Sequence, residues 1–294
     1  MKKEELIELL KKDYESSYID KIIDGYSVNR YTTIRINTLK SDILKIKEIL
    51  KENNISYEEV EWYSDALIIT NNSDLLTKLD IYNNGEIYLQ SLSSMIPPLC
   101  FDYIDNESIL DMTAAPGSKT TEICALTNNK CLITACEKNK IRCDRLKYNL
   151  NKLGARASVL EIDSRKLDDF MKFDKILLDA PCSGSGTVNI NDLKISMDLI
   201  NNSHKLQEEL FRKALKLLSI NSEMVYSTCS ILKKENEDII KKYLDKKIIE
   251  IMPIDINIDS KYLLPTNINN ALTIMPNIYY EGFFVCKIKK ISNF

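Results

Sequence analysis

From about residue 87 the chain alternates short apolar runs with amphipathic stretches, and nearly every apolar run closes on an acid or a cysteine. Strands separated by helix-length segments cannot pair as tight hairpins. They need crossover connections, and so an α/β fold built on a parallel, doubly wound sheet covered by helices. The expected strands are SILDMTA (108–114), KCLITACE (130–137), ASVLEID (157–163), FDKILLDA (173–180) and EMVYSTC (223–229), with further candidates at 247–252 and 282–290. Helices are expected from Ser118 to about Thr127, over 138–153 with Gly154 closing it, over about 198–218 and over 235–245. In open α/β sheets ligands bind just past the carboxyl ends of the strands, so chemistry is expected there.

The richest of these ends is FDKILLDAPCSGSGT, Phe173–Thr187. A buried-strand run delivers Asp179, then Pro181-Cys182 and the small residues Gly184, Ser185 and Gly186 onto a loop, where glycine lets something large approach the backbone. Cys229, in MVYSTCS, ends a later strand in the same way. The first sheet strand runs into DMTAAPGSKT, whose Pro116-Gly117 turn leads a helix N-terminus with free backbone N–H groups. Glu137 stands 20 residues after Gly117, about the offset at which a carboxylate takes a ribose diol, and Asp163 closes the third strand where it can face an adenine edge. The turn is not G-x-G-x-x-G, and Ser118 breaks a phosphate-loop pattern, so a dinucleotide or ATP fits poorly. An adenosine ligand without phosphates fits better, which points to S-adenosylmethionine; the plain alternative is an ordinary strand-to-helix turn with solvated acids.

Ahead of this lies a small α+β unit, residues 1–86, with the larger domain over 87–294. Residues 1–24 read as one or two helices, TTIRINTLK (32–40) as a half-exposed strand carrying Arg35 and Asn37, and Ser41 as the cap of a helix running to about Lys51. Arg35 is the residue of this unit expected to touch a ligand. Helix 138–153 carries Lys138, Arg142, Arg145 and Lys152 at helical spacing, which reads either as a solvated face or as a track for a phosphate backbone. The net charge of −3 argues against a protein that coats nucleic acid by bulk electrostatics. The charged start MKKEELIELLKK does not read as a leader, no run suits a membrane helix, and a cytoplasmic location is expected. The eight cysteines contain no C-x-x-C pair and His204 is the single histidine, so neither a metal site nor a His-dependent hydrolase is expected; six of the thiols read as apolar packing.

Together DMTAAPGSKT, ACEKNKIRCDRLKYNLNKLG, LDAPCSGSGT and VYSTCSILKKENED resemble the Sun (RsmB/NSUN) family of RNA cytosine-5 methyltransferases, and YLQSLSSMIPP (88–98) and the strand around Arg35-Ile36-Asn37-Thr38 resemble other parts of it. The resemblance implies a Rossmann-like methyltransferase domain with a small RNA-contacting N-terminal module, in which Arg35 and Asn37 would meet RNA. It implies S-adenosylmethionine held by Thr113, Ala114, Ala115, Pro116, Gly117, Ser118 and Lys119, with Glu137 on the ribose, Asp163 on the adenine, Arg142 on the carboxylate and Asp179 beside the methyl donor. Cys229 would be the nucleophile and Cys182 would release the product. A thiolate is needed because carbon 5 of cytosine is a poor nucleophile until a thiol adds to carbon 6. Lys119 would favour the Cys229 thiolate, and Asp179, if protonated, would donate to ring nitrogen 3. The base must be unstacked, which favours loops and single strands of rRNA or tRNA, and a monomer is expected.

Four places depart from the family pattern: Ser118 for a glycine, Asn221-Ser222 for a Gly-Gly turn, Pro276-Asn277 for Pro-His, and a segment after Thr187 without the usual Arg and Trp. The rival readings are a non-catalytic RNA-binding or assembly factor on a methyltransferase scaffold, which retention of both cysteines and Asp179 opposes, and a non-cytosine methyltransferase, which would show a D/N-P-P-Y strand end.

Overall fold

The computed structural model describes residues 3–190 and 193–293; the first two positions of the expected N-terminal helix and residues 191–192 of the segment after Thr187 lie outside them. The chain opens with α1 (Lys3–Leu10) and α2 (Ser16–Ser27) and continues through β1 (Thr32–Ile36), α3 (Ile43–Glu52), β2 (Tyr57–Glu59), β3 (Ala66–Ile69), the short α4 (Asp80–Asn83) and β4 (Ile87–Leu89). These four strands form an antiparallel sheet in the order β2-β3-β1-β4. The expected boundary after residue 86 falls just before β4, so the smaller sheet takes three residues more.

The larger domain follows as α5 (Leu92–Leu99), β5 (Ser108–Asp111), α6 (Ser118–Leu126), β6 (Leu132–Cys136), α7 (Lys140–Leu153), β7 (Ser158–Leu160), β8 (Phe173–Asp179), α8 (Met197–Leu217), β9 (Leu218–Thr228), α9 (Glu237–Leu244), β10 (Ile249–Met252), β11 (Leu263–Leu264), β12 (Leu272–Ile274) and β13 (Phe283–Lys290). Its nine strands run β11-β12-β13-β9-β8-β5-β6-β7, with β10 also paired to β13. Strands β7, β6, β5, β8 and β9 are parallel, whereas β13 lies antiparallel to β9. The doubly wound expectation therefore holds for five strands, and the C-terminal strands close one edge as antiparallel ribbons. The order reverses between β5 and β8, which splays the loops after them apart and opens a crevice at their carboxyl ends. Asn221 takes a left-handed φ of 64° inside β9, which asparagine tolerates better than most residues, so the missing Gly-Gly turn costs little.

The apolar faces of β5, β8 and β9 pack under α8 and α9 through residues such as Leu110, Ile176, Leu178, Phe211 and Tyr226. A second core joins the opposite face to the N-terminal unit through Val60, Tyr63, Ala66 and Ile68. The first helix pair packs elsewhere: Leu6, Leu10, Ile19 and Ile22 bury against Ile200 of α8 and Ile231-Leu232 just past β9. No helix among the described residues is long and apolar enough to cross a membrane.

Strand β1 is not half-exposed. Ile34 and Ile36 face α3, while Thr33 and Arg35 are buried on the other side. Arg35 is fully buried, donating to Gln90 Oε1 (2.9 Å) and Thr121 Oγ1 (3.0 Å) with Glu122 3.9 Å away. Asn37 is buried as well and donates to the carbonyls of Gly85 (2.7 Å) and Leu153 (2.8 Å). The expectation that these two meet RNA is corrected: both fasten the N-terminal unit to the larger domain, out of a ligand's reach. The α3 cap is Asp42, whose side chain accepts from Leu44 and Lys45 N–H groups, rather than Ser41.

Candidate active site

Each parallel strand delivers one polar group to the same edge. Asp111 ends β5, Glu137 follows β6, Asp163 follows β7, Asp179 ends β8 and Cys229 follows β9. Two cavities meet there. The first, about 220 Å³, is lined by the polar Glu137, Arg142 and Asp163, by the apolar Met112, Ile162 and Leu210, and by Cys182 among others. The second, about 380 Å³, is lined by Lys119, Ser94, Gln90, Thr187, Glu281 and Phe283 among others. Thr113, Ala115, Asp179 and Cys229 line both, so they form the wall between them.

The expected cofactor loop is this partition. Ala114, Pro116, Ser118 and Lys119 face the second cavity, and Gly117 lines neither. Gly117 turns the chain instead, at φ 107° and so close to Leu146 that an added Cβ would sit 2.9 Å from its Cδ1. No side chain caps α6, which leaves its first N–H groups for a ligand. Asp111 braces the loop from below: it accepts from Thr120 Oγ1 (2.6 Å), and burial pushes its pKa up to about 6.

In the first cavity, Glu137 accepts from the Asn139 N–H (2.8 Å) and lies 3.5 Å from Arg142, whose Nη2 donates to the Ala115 carbonyl (2.7 Å). Arg142 thus ties the loop after β5 to the loop after β6. Asp163 accepts from Arg165, which holds its carboxyl low, at about 2.

At the partition the two sulfurs of Cys182 and Cys229 stand 3.1 Å apart. They are half-buried, whereas the other six of the eight thiols are buried. The hydrogen bond to Cys229, then burial, raise the Cys182 thiol well above the usual range. Asp179 accepts from Ser227 Oγ (2.7 Å) and faces Lys119 Nζ at 2.8 Å. Both partners are donors, so Asp179 would have to give one up before it could donate to a base, and the cation Lys119 is the donor that faces the second cavity. Burial works against the Lys119 ammonium, but Asp179 outweighs it and raises the pKa.

A buried polar network fixes the two cysteine loops. Glu235, absent from the expected site, is wholly buried and accepts from Ser183 N (2.7 Å), Ser183 Oγ (2.6 Å) and Ser230 Oγ (2.6 Å). Gly186 donates to the Cys229 carbonyl (2.9 Å) and accepts from the Gly282 N–H (2.8 Å). An added Cβ at Gly186 would fall 1.8 Å from Gly282 O, so what approaches this glycine is the protein's own backbone rather than a ligand. The first helix pair holds the same loops from outside: Tyr26 OH donates to the Ser185 carbonyl and Tyr14 OH to the Ile231 carbonyl, each at 2.5 Å. These bonds join residues 159 and 217 positions apart, so no local pattern announces them. The KENED segment lay in plain view, but nothing local marks which of its acids turns inward.

The structure therefore brings Cys229, Cys182, Asp179, Lys119 and Thr113 together, sets Glu137, Arg142 and Asp163 along the adjoining cavity, and leaves Arg35 and Asn37 outside.

Comparisons with known proteins identify the family. The chain is 35% identical over 276 residues to "Ribosomal RNA small subunit methyltransferase F" of Shewanella amazonensis, covering 89% of this chain and 58% of that protein. It is 30% identical over 332 residues to the "26S rRNA (cytosine-C(5))-methyltransferase nsun-1" of Caenorhabditis elegans, covering 99% and 50%. The chain thus spans about half the length of the curated relatives it matches. The fold superposes with a TM-score of 0.89 on NSun6 from Pyrococcus horikoshii with SFG, at 22% identity and 98% coverage of both chains. A family model described as 16S rRNA methyltransferase RsmB/F matches residues 98–289, and with that match the chain belongs to the Sun (RsmB/F) methyltransferase family.

Proposed function

We propose that this protein is an S-adenosylmethionine-dependent RNA cytosine-5 methyltransferase acting on rRNA through a covalent cysteine adduct. The observation that carries this reading is the 3.1 Å pairing of Cys182 and Cys229 on the wall between two cavities, beside Asp179 and Lys119. Methylation at nitrogen needs no such thiol pair. Methylation at carbon 5 needs a nucleophile at carbon 6 and a base at carbon 5. The rRNA assignment rests on the names of the relatives.

Sun-family methyltransferases use S-adenosylmethionine. The first cavity fits its adenosine end, being lined by the Glu137 and Asp163 carboxylates and by apolar Met112, Ile162 and Leu210, and across the shared wall the start of α6, on the second cavity, offers uncapped N–H groups to the methionine end. In this reading Glu137 holds the ribose, Asp163 the adenine edge, the partition from Thr113 to Lys119 with Arg142 the methionine end, and Asp179 lies beside it. When bound, the cofactor supplies an electrophilic methyl group on a sulfonium centre.

The second cavity receives the flipped cytosine. In this reading Cys182 is the donor in the 3.1 Å contact between the two sulfurs, and Lys119 adds positive charge nearby; both favour Cys229 as the thiolate. The Cys229 sulfur adds to carbon 6, carbon 5 becomes nucleophilic, and Lys119 offsets the charge that builds on the ring. Once Cys229 is bonded to carbon, its sulfur is no longer the charged acceptor that held the Cys182 proton, and Cys182 can release that proton to solvent. After carbon 5 has gained its methyl group, the Cys182 thiolate takes the proton from carbon 5, that C–H electron pair restores the 5,6 double bond, and the bond between Cys229 and carbon 6 breaks with its pair returning to the Cys229 sulfur.

The test uses RNA containing 5-fluorocytidine, which cannot release its substituent and so traps the adduct. Wild type and Cys182→Ala are expected to form a covalent RNA complex on a denaturing gel, and Cys229→Ala none. Loss in Cys182→Ala alone would reverse the two roles. Cofactor binding with no adduct on any cellular RNA would sink the reading in favour of a non-catalytic scaffold.

A further inference from the structure

Beyond the two cavities lies a third groove, of about 260 Å³, that shares Gln90, Ser91 and Glu281 with the second and is walled by Arg30, Tyr31 and Tyr279. Resting on the function proposed above, we infer that this groove is a stacking subsite for an unpaired nucleotide adjoining the target cytosine in the RNA.

The groove opens directly from the base cavity, so a strand that inserts one base there lays its neighbour across Tyr31 and Tyr279. Those two rings are 5.8 Å apart between centroids and tilted by 34°. Neither phenol has a hydrogen-bond partner among the described residues, whereas the deeper Tyr280 hydroxyl accepts from Trp62 Nε1 at 2.9 Å. Tyr279 is propped from behind by Tyr262, 5.9 Å away edge-on, and Tyr262 in turn touches Tyr280 at 5.5 Å. A cluster of half-buried aromatic rings at the mouth of a nucleotide cavity is the form single-strand binding surfaces take, because every base has a face to stack.

The backbone is built to hold this surface. Asn277 Oδ1 accepts from the Tyr279 N–H (2.8 Å) and the Tyr280 N–H (3.1 Å), and its Nδ2 donates to the Met275 carbonyl (2.8 Å). Tyr31 N–H donates to the Ile278 carbonyl (3.0 Å), which locks the two rings to one another. Asn277 is where this chain departs from the family's Pro-His, and here it is the residue that shapes the Tyr279 turn. Arg30 Nε donates to the Tyr280 carbonyl (3.2 Å), and its Nη2 has no partner among the described residues. Glu58 lies near Tyr279, and Glu281 accepts from Ser91 on the groove floor (2.8 Å), so phosphate attraction is weak here and stacking must supply the affinity.

The experiment uses a short single-stranded RNA with 5-fluorocytidine flanked by 2-aminopurine, whose fluorescence is quenched when it stacks. Wild type should quench the probe at one flanking position. Tyr279→Ala should abolish that quench and, on the same RNA carrying cytidine in place of 5-fluorocytidine, raise KM about tenfold, within the range of one lost base stack, with kcat and cofactor affinity unchanged. Tyr279→Phe should behave as wild type, and the loss in Tyr279→Ala should persist at high salt, unlike the loss of a phosphate contact. Unchanged quench and KM in a folded Tyr279→Ala protein would overturn the inference, as would adduct formation by wild type with no quench at either flank. Quench without adduct formation would leave the subsite standing and remove the catalytic reading.

Discussion

Replacing Glu235 by glutamine tests whether the network behind the cysteines sets their geometry. Ser230 Oγ accepts from the Leu232 N–H (3.1 Å). Ser185 Oγ accepts from the Ile231 N–H (3.0 Å) and lies 2.7 Å from Ser230 Oγ. With the Ser230 hydrogen directed at Glu235, Ser185 must donate to Ser230, and both lone pairs of Ser230 are then used. A glutamine amide at the Oε2 position would find no acceptor on Ser230; turned the other way, it would face the Ser183 N–H. Either orientation leaves a buried donor unpaired, at about 1–3 kcal/mol. It also turns the remaining bonds from charge-assisted to neutral, so the total should be about 2–4 kcal/mol. Thermal unfolding should show a fall of roughly 3–7 °C for a chain of this length. Adduct formation on 5-fluorocytidine RNA should slow, because the two loops are no longer tied. Ser230→Ala in the Glu235→Gln background should cost less than the sum of the single changes, since it removes the donor that lost its acceptor. A shift under about 1 kcal/mol with unchanged adduct kinetics, or strict additivity, would refute the reasoning.

Three further outcomes follow from Arg35, Gly186 and Asp163. Arg35→Met should destabilise the protein by about 3–5 kcal/mol, because Glu122 is left buried without its cation, and urea unfolding would read this; a stable variant that loses RNA affinity would restore Arg35 as an RNA contact. Gly186→Ala must push Gly282 or Cys229 aside, and single-turnover methylation should fall about 100-fold, whereas an undiminished rate would show that the contact can open freely. Asp163, held at about 2 by Arg165, has its native pKa below the unfolded value, so its stabilisation is present above pH ~4 and is lost as pH falls towards 2. Asp163→Asn should therefore be up to about 2 kcal/mol less stable at pH 5 and converge with wild type near pH 2, a gap that urea melts across that range would show to close or to persist.

The candidate site edge is legible in the sequence because its signals are local. A buried strand that ends in Asp179 and runs into Pro181-Cys182 carries its own length, burial and exit, and the same holds for Glu137, Asp163 and Cys229 at their strand ends. What escaped the sequence depends on what lies across from a strand. The alternation in β1 marks two faces but not that both are covered, so Arg35 looked exposed and is buried. Strands as short as β4, β11 and β12 have too few residues to show a period and exist because a neighbour offers hydrogen bonds. Glu235 and the helix-pair tyrosines act across long loops, and a single acid or phenol in an amphipathic stretch bears no mark of its partner.

The bonds from Tyr14 to Ile231 and from Tyr26 to Ser185 also set an order of events during synthesis. The first helix pair leaves the ribosome early, with Leu6, Leu10, Ile19 and Ile22 still uncovered, and the surfaces that bury them include Ile200 and Ile231-Leu232. At about 5–20 residues per second the 217 positions between Tyr14 and Ile231 take on the order of ten to forty seconds to make. Until then the loop after Cys229 has no outer fastening and the helices lack part of their seat. The two thiols are thus drawn into place in turn, the Cys182 loop once Ser185 is made and the Cys229 loop only after Ile231, so a chain stopped short of residue 231 leaves the second loop unfastened from outside.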